Sequence, residues 1–212
     1  MDSSSISCIL LAAGGSRRMG GEQKVLLSLN QMSFLHRIVT QILACKPGQI
    51  VVVTGHHSKR IEAHLQAMPA WYERSNATEK VIVFNRVWES GMASSIQAGM
   101  GALSRKCKGV MIALGDLPLI RNETYGRICN HFLRHPAKII RPVCDQKPGH
   151  PVIFPRARFS ELSQLKGDKG GSQLFSEHDH ELLLVPVNDP GIYRDIDSWQ
   201  DWQLLSVDGL QS

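Results

Sequence analysis

The sequence predicts an α/β protein, a mostly parallel sheet covered by helices on both faces. Three observations carry that expectation. Short β-branched runs alternate with longer stretches of helical periodicity along nearly the whole chain. The 212 residues, 42% of them hydrophobic and 20% charged, suffice to bury a sizeable core. The first apolar run also leads straight into a glycine-rich basic loop, and ligands of parallel sheets sit at such strand ends.

Apolar runs rich in Val, Ile and Leu predict strands at Ile6–Leu11, Ile50–Thr54, Val81–Asn85, Val110–Leu114, Lys138–Val143, Val152–Phe154 and Leu182–Val187. Apolar residues three and four apart predict helices near Ser33–Cys45, Lys59–Met68, Ser94–Leu103, Asn122–His135, Arg156–Leu165, Gly171–Glu177 and Ser198–Leu205. After Val143 the alternation relaxes, and Asp145-Gln-Lys-Pro-Gly-His-Pro151 reads as a turn-rich excursion. No repeat, low-complexity tract or linker interrupts the pattern, which predicts one domain over residues 1–212.

Composition excludes several classes. Ordinary apolar content argues against a disordered chain, and no period-three glycine pattern suggests collagen. The five cysteines stand apart without C-x-x-C spacing, against a disulfide framework or zinc knuckle. The run Ile6–Ala13 lacks a preceding positive region, and no stretch reaches 18 apolar residues, so neither signal peptide nor membrane span is expected. The expectation is a cytoplasmic protein with no membrane partner. Basic residues lack the interleaved aromatics of a nucleic-acid platform, so no nucleic-acid partner is expected either.

Charge is unevenly divided. Residues 1–141 hold 18 Lys and Arg against 8 Asp and Glu; residues 142–212 hold 6 against 11. That split suggests an anion-handling part and a carboxylate-supplying part, or simply uneven solvated surface.

The loop after the first strand reads Leu11-Ala-Ala-Gly-Gly-Ser-Arg-Arg-Met-Gly-Gly-Glu-Gln-Lys24. Small residues let backbone N–H groups approach an anion, and Lys24 can place a point charge on phosphate. It is neither a P-loop, because Gly21 stands where that motif needs Lys, nor a G-x-G-x-x-G fingerprint. Further on, Val110–Leu114 ends in Gly115-Asp116-Leu-Pro118, a carboxylate at a strand end that suits Mg²⁺ or a turn cap. Tyr193-Arg-Asp-Ile-Asp197-Ser-Trp-Gln-Asp201 opens the last helix. There Ser198 and Asp201 form a capping-box pattern, with Asp197 either a ligand or N-terminal polar residue. Gly91-Met-Ala-Ser94-Ser95 offers a close approach and two hydroxyls at a helix start, equally readable as an ordinary N-cap. His150, between Gly149 and Pro151, is either a structural histidine or a ligand contact. His56-His57 and His178-x-His180 lack a third partner at metal-ligand spacing and read as solvated turns.

Leu-Ala-Ala-Gly-x-Ser-x-Arg-Met-Gly followed by Lys resembles the opening motif of the MobA-like nucleotidyltransferases of molybdenum cofactor biosynthesis. Gly-Asp-x-Pro resembles the family's metal-binding strand end, and Asp-Ile-Asp its C-terminal metal segment, although Ser198-Trp199 stands where the family has Thr-Pro. Ala12-Ala13-Gly14, Gly115-Asp116 and Gly149-His150-Pro151 are similar to the cytidylyltransferase branch, which often carries Arg where Ser172 stands here.

The resemblance implies a Rossmann-like three-layer α/β/α nucleotidyltransferase fold. Residues 1–141 would mainly bind nucleotide; residues 142–205 would bind the acceptor and supply the C-terminal metal ligand. It implies nucleotide contacts from Leu11, Ala12, Ala13, Gly14, Gly15, Ser16, Lys24, Gly91, Ser94 and Ser95, catalytic charge from Lys24 and Arg18, Mg²⁺ or Mn²⁺ on Asp116 and Asp197, and an acceptor contact from His150. Asp195 is the alternative ligand. The implied reaction moves CMP from CTP to the terminal phosphate of molybdenum-loaded molybdopterin, releasing pyrophosphate. The implied partner is a transiently bound molybdoenzyme of the xanthine dehydrogenase type. Alternatives are a GTP-using or sugar- or isoprenoid-phosphate nucleotidyltransferase, a NAD(P)H-dependent reductase, and a non-catalytic nucleotide-binding partner of molybdoenzymes.

Overall fold

The computed structural model describes residues 3–15, 22–73, 77–167 and 171–208. In chain order its elements begin with β1 (Ile6–Ala12), the small hairpin β2 (Ser28–Leu29) and β3 (Met32–Ser33), α1 (Phe34–Ala44), β4 (Gln49–Thr54), α2 (Ser58–Ala67), α3 (Pro69–Tyr72) and β5 (Glu79–Phe84). The chain continues through α4 (Met92–Gly101), β6 (Gly109–Leu114), α5 (Asn122–Arg134), β7 (Ile139–Cys144), β8 (Lys147–Pro148) and β9 (Val152–Pro155). It closes with α6 (Phe159–Leu162), α7 (Ser172–Glu177), β10 (Leu182–Pro186) and α8 (Trp199–Asp208).

The main sheet runs β10-β7-β9-β6-β1-β4-β5, with β8 attached to β7. The pairs β1–β4, β1–β6, β4–β5 and β7–β10 are parallel. Period-two alternation splits the core between the two faces. On one face Ile6, Cys8, Leu10, Ile50 and Val52 pack against apolar stripes of α1, α2 and α5; on the other Ile9, Val51, Val53 and Ile112 meet α4, α6 and α7. The result is the expected three-layer arrangement with a mostly parallel sheet.

Helix starts follow local chemistry. Ser33 caps α1, its Oγ accepting from the His36 N–H at 3.0 Å. Helix α4 begins at Met92, two residues before the expected Ser94, because Gly91 takes φ 107° and turns the chain into the helix. The expected helix Arg156–Leu165 is shorter in the fold: a 3-10 turn at Arg156–Arg158 precedes the four-residue α6.

The excursion after Val143 sets the direction of β9. Asp145 and Gln146 both take positive φ, and the chain doubles back too soon for a crossover helix. Strand β9 therefore lies antiparallel between β6 and β7, with Ile112 opposite Val152.

Candidate active site

From β1 the chain steps outward through β4 to β5, then returns to lay β6 along the other side of β1. That reversal opens a crevice at the carboxyl ends of β1 and β6, where Leu11 pairs with Leu114. A cleft of about 520 Å³ occupies it. Its lining includes Leu11, Ala12, Ala13, Gly14 and Gly15 after β1, Gly115 and Asp116 after β6, and Gly91 and Ser95 beside α4, together with Lys24 and Asp197. A Cβ on Gly115 would lie 2.8 Å from both the Leu11 carbonyl oxygen and Val25 Cγ1. Glycine there lets the two strand exits run side by side.

Lys24 arrives on a 3-10 turn, Lys24–Leu26, whose Val25 is buried. The preceding Gln23 is 2% exposed and donates from Nε2 to the His56 carbonyl at 2.8 Å, tying the turn to the β4 exit. Lys24 Nζ then donates to Asp197 Oδ1 at 2.5 Å and to Asp116 Oδ2 at 3.3 Å.

Asp197 reaches this point from 81 positions along the chain because the C-terminal segment is fastened repeatedly. Asp189, 2% exposed, accepts from the Arg121 N–H (2.8 Å), Thr124 Oγ1 (2.6 Å) and the Gly191 N–H (3.0 Å). The His150 N–H donates to the Ile192 carbonyl at 2.8 Å, and the Ile196 N–H to the Asp116 carbonyl at 3.1 Å. Ser198 and Asp201 form a reciprocal capping box, Ser198 N–H to Asp201 at 2.8 Å and Asp201 N–H to Ser198 Oγ at 3.1 Å. The Asp197 N–H also donates to Asp201, at 3.1 Å. Trp202 closes α8 onto the hairpin by donating to the Ser28 carbonyl, while its neighbour Trp199 stays 42% exposed.

The paired carboxylates suit a divalent cation by their own chemistry. Asp116 Oδ1 is buried and lacks a hydrogen-bond partner, an orphaned acceptor that a metal ion would satisfy. A cationic nitrogen, Lys24 Nζ, already sits between the two side chains. Asp195 is a third carboxyl nearby: burial, then Asp197 and Asp116, raise its pKa above the usual aspartate range.

Not every expected residue meets the cleft. Ser94 and Ser95 both accept from Asn85 Nδ2, at 2.8 and 3.1 Å, but Ser94 Oγ is turned to the Gly91 carbonyl and only Ser95 lines the cleft. His150 lines a second, smaller cavity adjoining the first. Ser16 and Arg18 lie outside the described residues.

Sequence reasoning passed over Gln23, Asn85, Trp88 and Asp189. Trp88 lines the cleft and sits so close to Gly15 and Gly55 that a Cβ on either would touch its ring system. No periodic pattern marks these residues, although Asn85 at a strand end was a position to search. His178 also differs from its expected solvated turn. Glu161 and Glu177 approach it closely enough to share an ion, but Arg158 sits among them, bonding Glu161, Glu181 and His178, so the cluster reads as an ion-pair network.

Residues 8–182 match the family described as the MobA-like NTP transferase domain. Nicotine blue oxidoreductase of Paenarthrobacter nicotinovorans is 27% identical over 201 residues, covering 91% of this chain and 92% of that protein. Molybdenum cofactor cytidylyltransferase of Escherichia coli (strain K12) is 26% identical over 200 residues, covering 94% of each. The crystal structure of Rv0371c from Mycobacterium tuberculosis H37Rv in complex with manganese shares the fold, with a TM-score of 0.71 and 24% identity over 98% of this chain and 100% of that one.

Proposed function

The chain belongs to the MobA-like NTP transferase family, and from that premise we propose that it transfers CMP from CTP to the terminal phosphate of molybdenum-loaded molybdopterin, releasing pyrophosphate. The observation that carries the transferase reading is Lys24 held between Asp116 and Asp197 in a cleft also lined by Leu11–Gly15. The cytidylyl assignment draws support from the Escherichia coli relative and from Ala13 and Gly115.

In the reaction an oxygen of the acceptor phosphate attacks the α-phosphorus; the new P–O bond forms as the α–β bridging bond breaks. The acceptor is already ionised, so the chain needs no nucleophile or general base of its own. Backbone N–H groups between Ala12 and Gly15 bind and orient the triphosphate. Lys24, joined on the resemblance by Arg18, offsets charge at the α-phosphate and on the leaving pyrophosphate. Asp116 and Asp197 would hold Mg²⁺ or Mn²⁺, which supplies charge neutralisation between the phosphates when bound. His150 belongs to the acceptor side, and a molybdoenzyme of the xanthine dehydrogenase type would receive the product. The reading is of a cytoplasmic enzyme, in keeping with five free cysteines and with no helix, among the described residues, long and apolar enough to cross a membrane.

Pyrophosphate release should be measured with CTP, GTP and ATP in the presence of the molybdenum-loaded pterin. Turnover with CTP is expected, and Asp116→Ala should lower kcat by roughly 10²-fold or more while the fold persists. Release from GTP but not CTP would sink the cytidylyl assignment. A reductase reading rests on the name of the Paenarthrobacter relative. NADPH oxidation without nucleotide turnover would favour it; against it stands Lys24 between two carboxylates, for which hydride transfer has no use.

A further inference from the structure

Arg141 is a half-buried cation that, among the described residues, no carboxylate answers. It interrupts the apolar run of β7, and its Nε donates to the Gly149 carbonyl at 3.2 Å while one terminal nitrogen reaches the Pro148 carbonyl at 3.5 Å. The guanidinium carbon lies 4.3 Å from the centroid of the Phe175 ring. Among the described residues no Asp or Glu forms an ion pair with it. Burial lowers its pKa from the ordinary arginine value, yet a guanidinium keeps its proton in a protein. Carbonyl dipoles and an aromatic face compensate a desolvated charge only partly; an anion completes the site.

The space for that anion is present. Arg141 lines a cavity of about 150 Å³, less than a third of the 520 Å³ cleft, and Met92 lines both. The remaining walls include His150, Ile112 and the Phe154 and Phe175 rings, which stack 5.9 Å apart. The cavity therefore offers one cation, one imidazole and an otherwise largely apolar surface beside the nucleotide cleft.

We propose that this cavity seats a phosphate monoester, the acceptor, with Arg141 anchoring its phosphoryl oxygens and the Phe154 and Phe175 walls meeting its carbon body. The assignment rests on the transfer reading above and deepens it by naming the anchor. His150 serves a different atom of the acceptor. Its Nδ1 is shut off from solvent and has no hydrogen-bond partner, while the ring also bonds to the Ile112 backbone. Burial and then Arg141 hold its pKa down, against an upward pull from Asp116, so at neutral pH the ring carries no charge. A neutral ring whose open nitrogen accepts suits a hydroxyl or N–H of the acceptor rather than its dianion.

The test uses the full chain saturated with Mg²⁺ and a CTP analogue carrying a methylene bridge between the α- and β-phosphorus. It is titrated with phenyl phosphate, inorganic phosphate and phenol at millimolar concentrations, with heat or ligand-detected NMR as the readout. Phenyl phosphate is expected to bind wild type more tightly than either fragment. Arg141→Met should weaken it at least tenfold, Arg141→Lys should restore part of the loss, and both variants should keep CTP-analogue affinity within about twofold. Equal phenyl phosphate affinity in wild type and Arg141→Met overturns the proposal, as does wild-type chain that takes up neither phosphate. Retained analogue binding certifies that the variants are folded. Failure of Mg²⁺ and the analogue to bind wild type would instead remove the transfer reading itself.

Discussion

Removing Lys24 should tighten metal binding to the empty enzyme while destroying its use. Lys24 Nζ lies 2.5 Å from Asp197 and 3.3 Å from Asp116, so a divalent ion reaching both carboxylates must first displace the ammonium. Lys24 is 14% exposed and the aspartates 32% and 34% exposed, which places both pairs nearer the surface regime than the deep interior. Each such pair contributes about 0.2–1 kcal/mol. Breaking both therefore costs about 0.4–2 kcal/mol, or roughly twofold to thirtyfold in affinity. Repulsion between the displaced ammonium and the arriving ion acts in the same direction. Lys24→Met keeps the aliphatic stem and removes the charge. In Mn²⁺ titrations followed by the electron spin resonance of the free ion, this variant should bind Mn²⁺ roughly twofold to thirtyfold more tightly than wild type without nucleotide. With CTP present the order should reverse, because the triphosphate loses the cation that wild-type Lys24 transfers to it. An unchanged or weaker Mn²⁺ affinity for nucleotide-free Lys24→Met would refute the idea that this lysine occupies the ion's place.

Asp189→Ala strands three donors at once, and at roughly 1 kcal/mol per lost bond it should lower stability by about 3 kcal/mol. Urea unfolding measures the loss, and the same variant should bind Mn²⁺ more weakly because the Asp197 segment loses its fastening. Acid should also destabilise the fold through His150, whose pKa falls from 6.5 to about 4 on burial beside Arg141. The unfolded chain binds the extra proton, so this contribution is intact above pH 6.5, is lost as pH falls toward about 4, and amounts to roughly 3 kcal/mol. His64 is shifted in the same direction. His150→Gln should therefore flatten the pH dependence of urea midpoints between those limits only in part; an unaltered profile would remove His150 from the account.

Much of the fold is legible because local chemistry and tertiary structure agree. The β-branched runs of β1, β4 and β6 form central strands, and the Ser198–Asp201 spacing produces the capping box that it suggests. The site is legible where a motif stays within one strand exit, as Leu11–Gly15 and Asp116 do. What escapes notice depends on distance in sequence. Nothing local to Arg141 signals a guanidinium facing a cavity, because its surroundings come from Gly149 and Phe175. Asp189 looks like an ordinary turn aspartate until α5 presents Arg121 and Thr124 to it. His178 gains glutamates and an arginine that no short spacing encodes. The direction of β9 escapes for a related reason: apolar alternation specifies a strand but carries no sign.

That reversed strand has a consequence for how such a chain can change over generations. A crossover helix over the sheet would bury its own apolar stripe, and lengthening it would disturb a packed layer. The hairpin of β7 and β8 that leads into β9 has no such obligation. Its turn carries Asp145 to Lys147 in the open, and residues after it feed directly into Gly149 and His150 beside the second cavity. Each doubling of a flexible loop costs only about 0.6 kcal/mol. Insertions at this turn would therefore reshape the second cavity while β1, β6 and the Lys24 turn keep their places. The hairpin gives one fold a replaceable face beside the second cavity.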